Sequence, residues 1–242
     1  MNAIKKLWLL VLVLLMSVSA MASANEGAHL DKAPVDMNDM ASLQRGAKFF
    51  IANCLACHSA AYMRYNRLKD LGMTDDEIKS LLPEGGKPGS TMQAAMDVNS
   101  AKLAFGVAPP DLSVESRARG GNWIYTYLRS FYVDSKRPSG ANNTVFPSVG
   151  MPNILVGLQG EQELHVENHE GHETKKLVLA KPGSMSPAEF DATIGDLTNY
   201  LVYMGDPSKL VRSKIGYIVL GFLFILFLLT YALKKEIWKD IH

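Results

Sequence analysis

Cys54-Leu55-Ala56-Cys57-His58 holds both cysteines of this 242-residue chain. Two thiols separated by two residues, with a histidine directly after them, form the pattern to which c-type haem is attached. Each thiol adds to one haem vinyl group, and two intervening residues match the separation of those vinyls. The adjacent His58 is thereby delivered to one axial face of the iron. Other chemistries share parts of the pattern. A thioredoxin-like dithiol needs a strand–helix–strand context, and no such alternation surrounds Cys54. A zinc site needs two further ligands, and there is no third cysteine. A plain disulfide is the usual fate of two cysteines in an oxidising compartment, but the Cys-x-x-Cys-His spacing points to haem.

The residues before the motif read as a helix from about Asn38 to Asn53, capped by Asn38 or Asp39. Gly46, Phe50 and Cys54 recur every four residues and so share one helical face leading to the attachment site. Gly46 would let a second helix pack closely, and Phe50 would pack on the haem edge or on that helix. This face is similar to the first helix of class I cytochromes c. A partner helix is well marked after Ser186, which caps it. Pro187 suits its first turn, and Glu189 completes a capping box. Phe190, Ile194, Leu197, Leu201 and Met204 then recur at helical spacing, before Gly205 and Pro207 end it. Trp123 to Tyr132 is compatible with a further helix. Residues 25–36 are polar and expected to be loose.

The chain ends carry much of the 48% hydrophobic content. Lys5-Lys6, an apolar run from Leu7 to Met16 and the small residues Ala22-Ser23-Ala24 are the three parts of a secretory signal peptide over residues 1–24. Ile215 to Leu233 carries no charge and is long enough to cross a bilayer. Tyr217, Tyr231 and Trp238 lie where interfacial aromatics are favoured. The organisation expected is a signal peptide (1–24), an exported haem domain (25–213), a transmembrane helix (214–234) and a cytoplasmic tail (235–242). Basic residues flank the apolar stretch equally, so export of the N-terminal part decides the orientation. The exported domain has 22 acidic and 19 basic residues. This balance lacks the basic footprint of a nucleic-acid-binding protein.

The sixth iron ligand must come from elsewhere. Among twelve methionines, Met151 is the best candidate, because Gly150 and Pro152 would fix its loop. Met185 and Met204 are rivals, and His29, His165, His169 or His172 would give bis-His ligation instead. The choice bears on function, since methionine ligation raises the reduction potential. Glu161 to Glu173 holds five glutamates and no Lys or Arg. It reads as an exposed loop or small hairpin that could steer a basic partner. His165, His169 and His172 would line up to bind a metal if this segment were helical.

Together these elements resemble the cytochrome c1 family, the haem subunits of bacterial quinol–cytochrome c oxidoreductase (bc1) complexes. The resemblance rests on Cys54 to Ser59, Tyr62 to Leu68, Ala108-Pro109-Pro110-Asp111-Leu112-Ser113, Arg117-Ala118-Arg119, Gly150-Met151-Pro152 and the C-terminal anchor. It implies a mainly α fold: a class I cytochrome c-like haem domain with loop insertions plus one C-terminal transmembrane helix. It further implies one covalent haem c, Met151 as sixth ligand and Arg119 as partner of a haem propionate. Pro109 and Pro110 would wall the haem edge. The family often has Met-Ala-Pro-Pro at the ligand, where this chain has Met151-Pro152-Asn153-Ile154.

By the same resemblance, the chain takes electrons from a Rieske iron–sulfur subunit and passes them to a soluble or tethered cytochrome c. Cytochrome b is a further partner, the complex is dimeric, and the haem domain lies on the periplasmic side of the cytoplasmic membrane. The chain is then an electron-transfer subunit, not catalytic by itself. The alternatives are a free-standing tethered cytochrome or an oxidase haem subunit, and more remotely a haem peroxidase or sensor, which needs an open sixth position.

Overall fold

The computed structural model describes residues 29–169 and 172–239. The signal peptide expected over residues 1–24 lies outside the described residues.

Two helices form the centre. Helix α1 spans Met40–Asn53 and begins where the Asp39 carboxylate accepts the Ser42 amide at 2.9 Å, so Asp39 is the cap. The second long helix, Pro187–Gly205, is capped as its sequence predicts: Ser186 and Glu189 exchange hydrogen bonds as a full capping box. Leu43, Ala47 and Phe50 of α1 are fully buried, as are Ile194, Leu197, Tyr200 and Tyr203 of its partner. Gly46 sits where the two helices touch. A Cβ there would overlap the Asp196 carbonyl and lie 2.8 Å from Tyr200 Cβ. The same crossing is clasped at its rim, where Arg45 grips Asp196 through two hydrogen bonds of 2.6 and 3.0 Å.

Between these helices the chain makes short elements. They are β1 (Ala60–Arg64), a 3-10 turn (Tyr65–Leu71), α2 (Asp75–Ser80), β2 (Thr91–Met92), α3 (Val98–Phe105), α4 (Glu115–Arg119), α5 (Gly121–Arg129), β3 (Phe131–Val133), β4 (Ala141–Asn143) and α6 (Val156–Gln159). A long hairpin, β5 (Gly160–His169) and β6 (His172–Pro182), precedes the capped helix, numbered α7. The strands form three separate antiparallel pairs: β1 with β2, β3 with β4, β5 with β6.

The helix expected over Trp123 to Tyr132 stops at Arg129. Its last carbonyls are taken by side chains: Asn143 Nδ2 donates to Tyr127 O at 2.8 Å, and Gln159 and Gln162 donate to Arg129 O at 2.9 Å each. Phe131–Val133 is then free to pair with β4.

Residues 29–39 are not loose, because α5 and α7 tie them down. Thr126 Oγ1 accepts the Asp31 amide, Asn122 Oδ1 accepts the Ala33 amide, and Asn199 Nδ2 donates to Asp36 O. Arg129 links all three parts, pairing with both Asp191 and Asp31.

The acidic segment is a hairpin. Glu161 lies opposite Lys181 and pairs with it at 2.7 Å, while Lys175 and Lys176 stand on the facing strand. Its charge is therefore mixed rather than purely acidic. The segment is extended rather than helical, so the helical spacing of His165, His169 and His172 does not apply.

The last helix, α8, spans Lys209–Ile237. Its segment Ile215–Ile237 has mean hydropathy 2.4, and none of it is buried against the rest of the chain. Twenty-three residues at ~1.5 Å each give about 35 Å, enough for a bilayer core. A helix apolar on every side is suited to lipid rather than to a soluble surface.

Candidate haem centre

Helix α1 runs directly into the attachment motif. The amides of Cys54 and Leu55 both bond Phe50 O, and those of Cys57 and His58 bond Cys54 O. The motif is thus a tight turn continuing from the helix that packs on α7. Cys54 is buried, Cys57 is half-buried, and both are free thiols. Burial pushes the Cys54 thiol up to about 12.

His58 is fixed by a carbonyl 52 residues further along the chain: its Nδ1 lies 2.8 Å from Pro110 O. A carbonyl only accepts, so Nδ1 carries the proton and Nε2 keeps its lone pair. Burial lowers the His58 pKa, against the opposing effect of the Pro110 carbonyl. The ring is a neutral imidazole with one nitrogen free for a metal.

The Pro110 segment is stitched to the motif strand. Leu112 N donates to Ser59 O at 2.8 Å, and Ser113 Oγ accepts the Tyr62 amide at 3.1 Å. Asp111 accepts the amides of Ala61 and Ser113 at 2.9 and 2.8 Å. Burial opposes its charge, but these hydrogen bonds prevail and hold the carboxyl below its usual range. Asp111→Ala should therefore loosen the support of the His58 ring. About 1 kcal/mol is expected, below the range for bonds to buried charged groups because solvent reaches the carboxylate. Thermal unfolding of the full chain in detergent should drop by roughly 2–4 °C.

Met151 stands on the loop after β4. Gly150 packs against the end of α3 and the residues after it: a Cβ there would meet Val107 Cγ1 at 2.8 Å and Phe105 O at 3.5 Å. Val107 lies three residues before Pro110, so the loop bearing Met151 and the segment holding His58 are neighbours. Met151 Sδ lies 3.4 Å from the Tyr127 hydroxyl. The Tyr127 ring stacks on Trp123 at 4.8 Å, and the Arg119 guanidinium covers Trp123 at 4.7 Å. Arg119 and Met151 are thereby joined through one aromatic stack. Arg119 Nε also bonds Glu115 at 3.1 Å, a carboxylate from its own helix turn.

The rival ligands sit elsewhere. Met204 is buried in α7, and Met185 packs on the main core, where Thr193 Oγ1 lies 3.8 Å from its sulfur. The His29 side chain is 93% exposed beside Asp31, and His165 is exposed on the hairpin.

Residues 30–241 match the Cytochrome C1 family. The chain belongs to the cytochrome c1 family. Cytochrome c1 of Allochromatium vinosum is 49% identical to it over 240 residues, covering 97% of this chain and 98% of that protein. A Nitrosomonas europaea protein named ammonia monooxygenase gamma subunit is 48% identical over 234 residues, covering 96% and 97%. Bradyrhizobium diazoefficiens cytochrome b/c1 is 26% identical over 269 residues, covering 91% of this chain but 37% of that protein.

Cytochrome c1 proteins carry one covalently bound haem c and serve as electron-transfer subunits of the bc1 complex. The residues present fit that group. Two unpaired thiols stand at attachment spacing, the adjacent imidazole is held neutral with Nδ1 occupied, and a thioether lies on a neighbouring loop. Val107 beside Gly150 and Phe146 beside Trp123, both substantially exposed, add apolar surface.

Sequence reasoning did not single out Tyr127 or Trp123. Both belong to an aromatic stretch that reads equally well as core, and nothing local says that Tyr127 meets a sulfur 24 residues away.

Proposed function

We propose that this chain passes single electrons from a Rieske iron–sulfur protein to a cytochrome c through one haem held by Cys54, Cys57, His58 and Met151. The observation that carries the reading is the His58–Pro110 contact directly after Cys-x-x-Cys, which orients the ring and leaves unprotonated the nitrogen an iron needs. Bound there, the haem iron supplies a one-electron couple with no open site for substrate.

The chain's own residues supply the rest. Cys54 and Cys57 tether the group by thioethers, so it cannot dissociate. His58 would hold the iron through Nε2, and the Pro110 carbonyl holds the ring against rotation. Met151 would hold the iron through its thioether, a ligand that favours a higher potential than a second histidine. Arg119 offers its guanidinium to a propionate, a carboxylate match that planar charge-assisted bonds favour. Glu115 already engages its Nε edge and helps to aim it.

Helix α8 anchors the chain in the bacterial cytoplasmic membrane, residues 1–24 direct export, and the haem domain faces the periplasm. The partners are cytochrome b and the iron–sulfur subunit in a dimeric complex. The Bradyrhizobium relative supports the first of these, since its name joins cytochrome b to c1 and this chain matches only 37% of its length.

The test is steady-state reduction of added cytochrome c by quinol in membranes. A His58→Ala variant that still inserts should lose the quinol-dependent rate. A wild-type rate in that variant would send the electrons by another route and end the proposal.

A further inference from the structure

Tyr127 is the residue at the haem centre that the proposed function leaves without a task. Its hydroxyl points at Met151 Sδ over 3.4 Å. A thioether has no proton to give, so Tyr127 is the donor.

Both partners are held in place by other contacts. The tyrosine ring stacks on Trp123 and meets Phe131 edge-on at 5.2 Å, and its backbone carbonyl accepts Asn143 Nδ2. The methionine loop is fixed by Asn142 Oδ1, which accepts the Ser148 amide at 2.9 Å, and by Arg137, which donates to Ser148 O at 2.9 Å. Ser148 takes a φ of 61°, a left-handed conformation that a serine adopts only under such constraint. The ring that carries the hydroxyl and the loop backbone that carries Met151 are thus each held by contacts other than the one between them.

We propose that Tyr127 tunes the electron affinity of the haem by hydrogen-bonding the Met151 thioether, and so holds the couple at a higher potential than unassisted methionine ligation gives. The inference rests on Met151 being the sixth ligand. A proton directed at sulfur competes for the lone-pair density that iron uses. Ferric iron, with the greater charge, depends on that density more than ferrous iron does. The hydrogen bond thus weakens the oxidised ligation more than the reduced one. Tyr127 acts through Met151 and is a positioning residue in this scheme.

The Tyr127→Phe variant removes the hydroxyl and keeps the ring between Trp123 and Phe131. In the full haem-loaded chain in detergent, the equilibrium constant for one-electron reduction should fall about three- to tenfold, roughly 30–60 mV. A second readout separates tuning from simple loop support. With the sulfur lone pair released, ferric iron should hold Met151 more firmly. Added imidazole should then bind the ferric form about threefold more weakly or worse.

A residue that merely braced the loop would give the reverse, since a loosened Met151 is easier to displace. An unchanged potential, or tighter imidazole binding, overturns the proposal. Met151→Leu is measured alongside through the weak far-red absorption of a ferric thioether bond. If that band survives in Met151→Leu, the ligand reading falls and takes this inference with it. If the band vanishes there while Tyr127→Phe changes neither potential nor imidazole binding, the inference alone is wrong.

Discussion

Met151→Leu should drop the midpoint potential of the haem by at least about a tenth of a volt, well inside the ~0.8 V that axial ligands command. For a one-electron couple a tenth of a volt is about a fifty-fold change in equilibrium constant. Leucine nearly conserves methionine's volume, so the packing against Phe131, Ala141 and Val149 should survive at a cost below about 1.5 kcal/mol. The change is therefore chemical. Leucine offers no lone pair, and the iron loses its soft ligand or recruits a harder one. Redox titration of the full chain in detergent checks this, together with loss of the far-red ferric band. A potential within a few millivolts of wild type would move the sixth ligand elsewhere, to Met185, Met204 or a histidine.

The second large effect is on the fold. Gly46→Val should cost ~3 kcal/mol or more, the upper part of the range for overpacking. The reason is what the new atoms meet. The nearest neighbour is the Asp196 backbone carbonyl, which cannot swing aside as a side-chain tip would, and Tyr200 Cβ blocks the other direction. Glycine inside a helix costs only ~1 kcal/mol relative to alanine. Propensity gained therefore cannot offset the clash, and α1 must move away from α7. Because α1 delivers Cys54 to the motif turn, the yield of covalently loaded protein should fall together with the melting temperature. A variant that loads and melts like wild type would show that the close approach of these helices matters little.

Several parts of this architecture are legible in the sequence because their causes are local. Ser186 and Glu189 announce α7, and the spacing of Gly46, Phe50 and Cys54 marks the face that α7 covers. The attachment motif is likewise legible, because two thiols and a histidine must be close in sequence to reach one haem. Thr74 and Glu77 form a capping box that would have located α2 by the same reasoning.

Other parts depend on distant residues. Strands of two or three residues, such as β2 and β4, carry no alternation to read. The end of α5 is decided by Asn143, Gln159 and Gln162, far along the chain. The order of residues 29–39 depends on Asn122, Thr126 and Asn199 in the same way. At the haem centre, the Pro110 carbonyl and the Tyr127 hydroxyl are contributions of tertiary structure alone. Arg119 illustrates a mixed case. Its residue type suits a propionate, but only the structure shows that it lies over Trp123 and beside Glu115.

The electron path itself is best tested by rapid mixing. Quinol is added to membranes containing the native chain, and absorbance of the covalent haem is followed with and without the iron–sulfur subunit. Prompt reduction that disappears when that subunit is removed is the predicted result. A haem that stays oxidised with quinol in complete membranes, yet accepts electrons from a soluble cytochrome, would contradict the account and make the chain a free-standing carrier or an oxidase subunit.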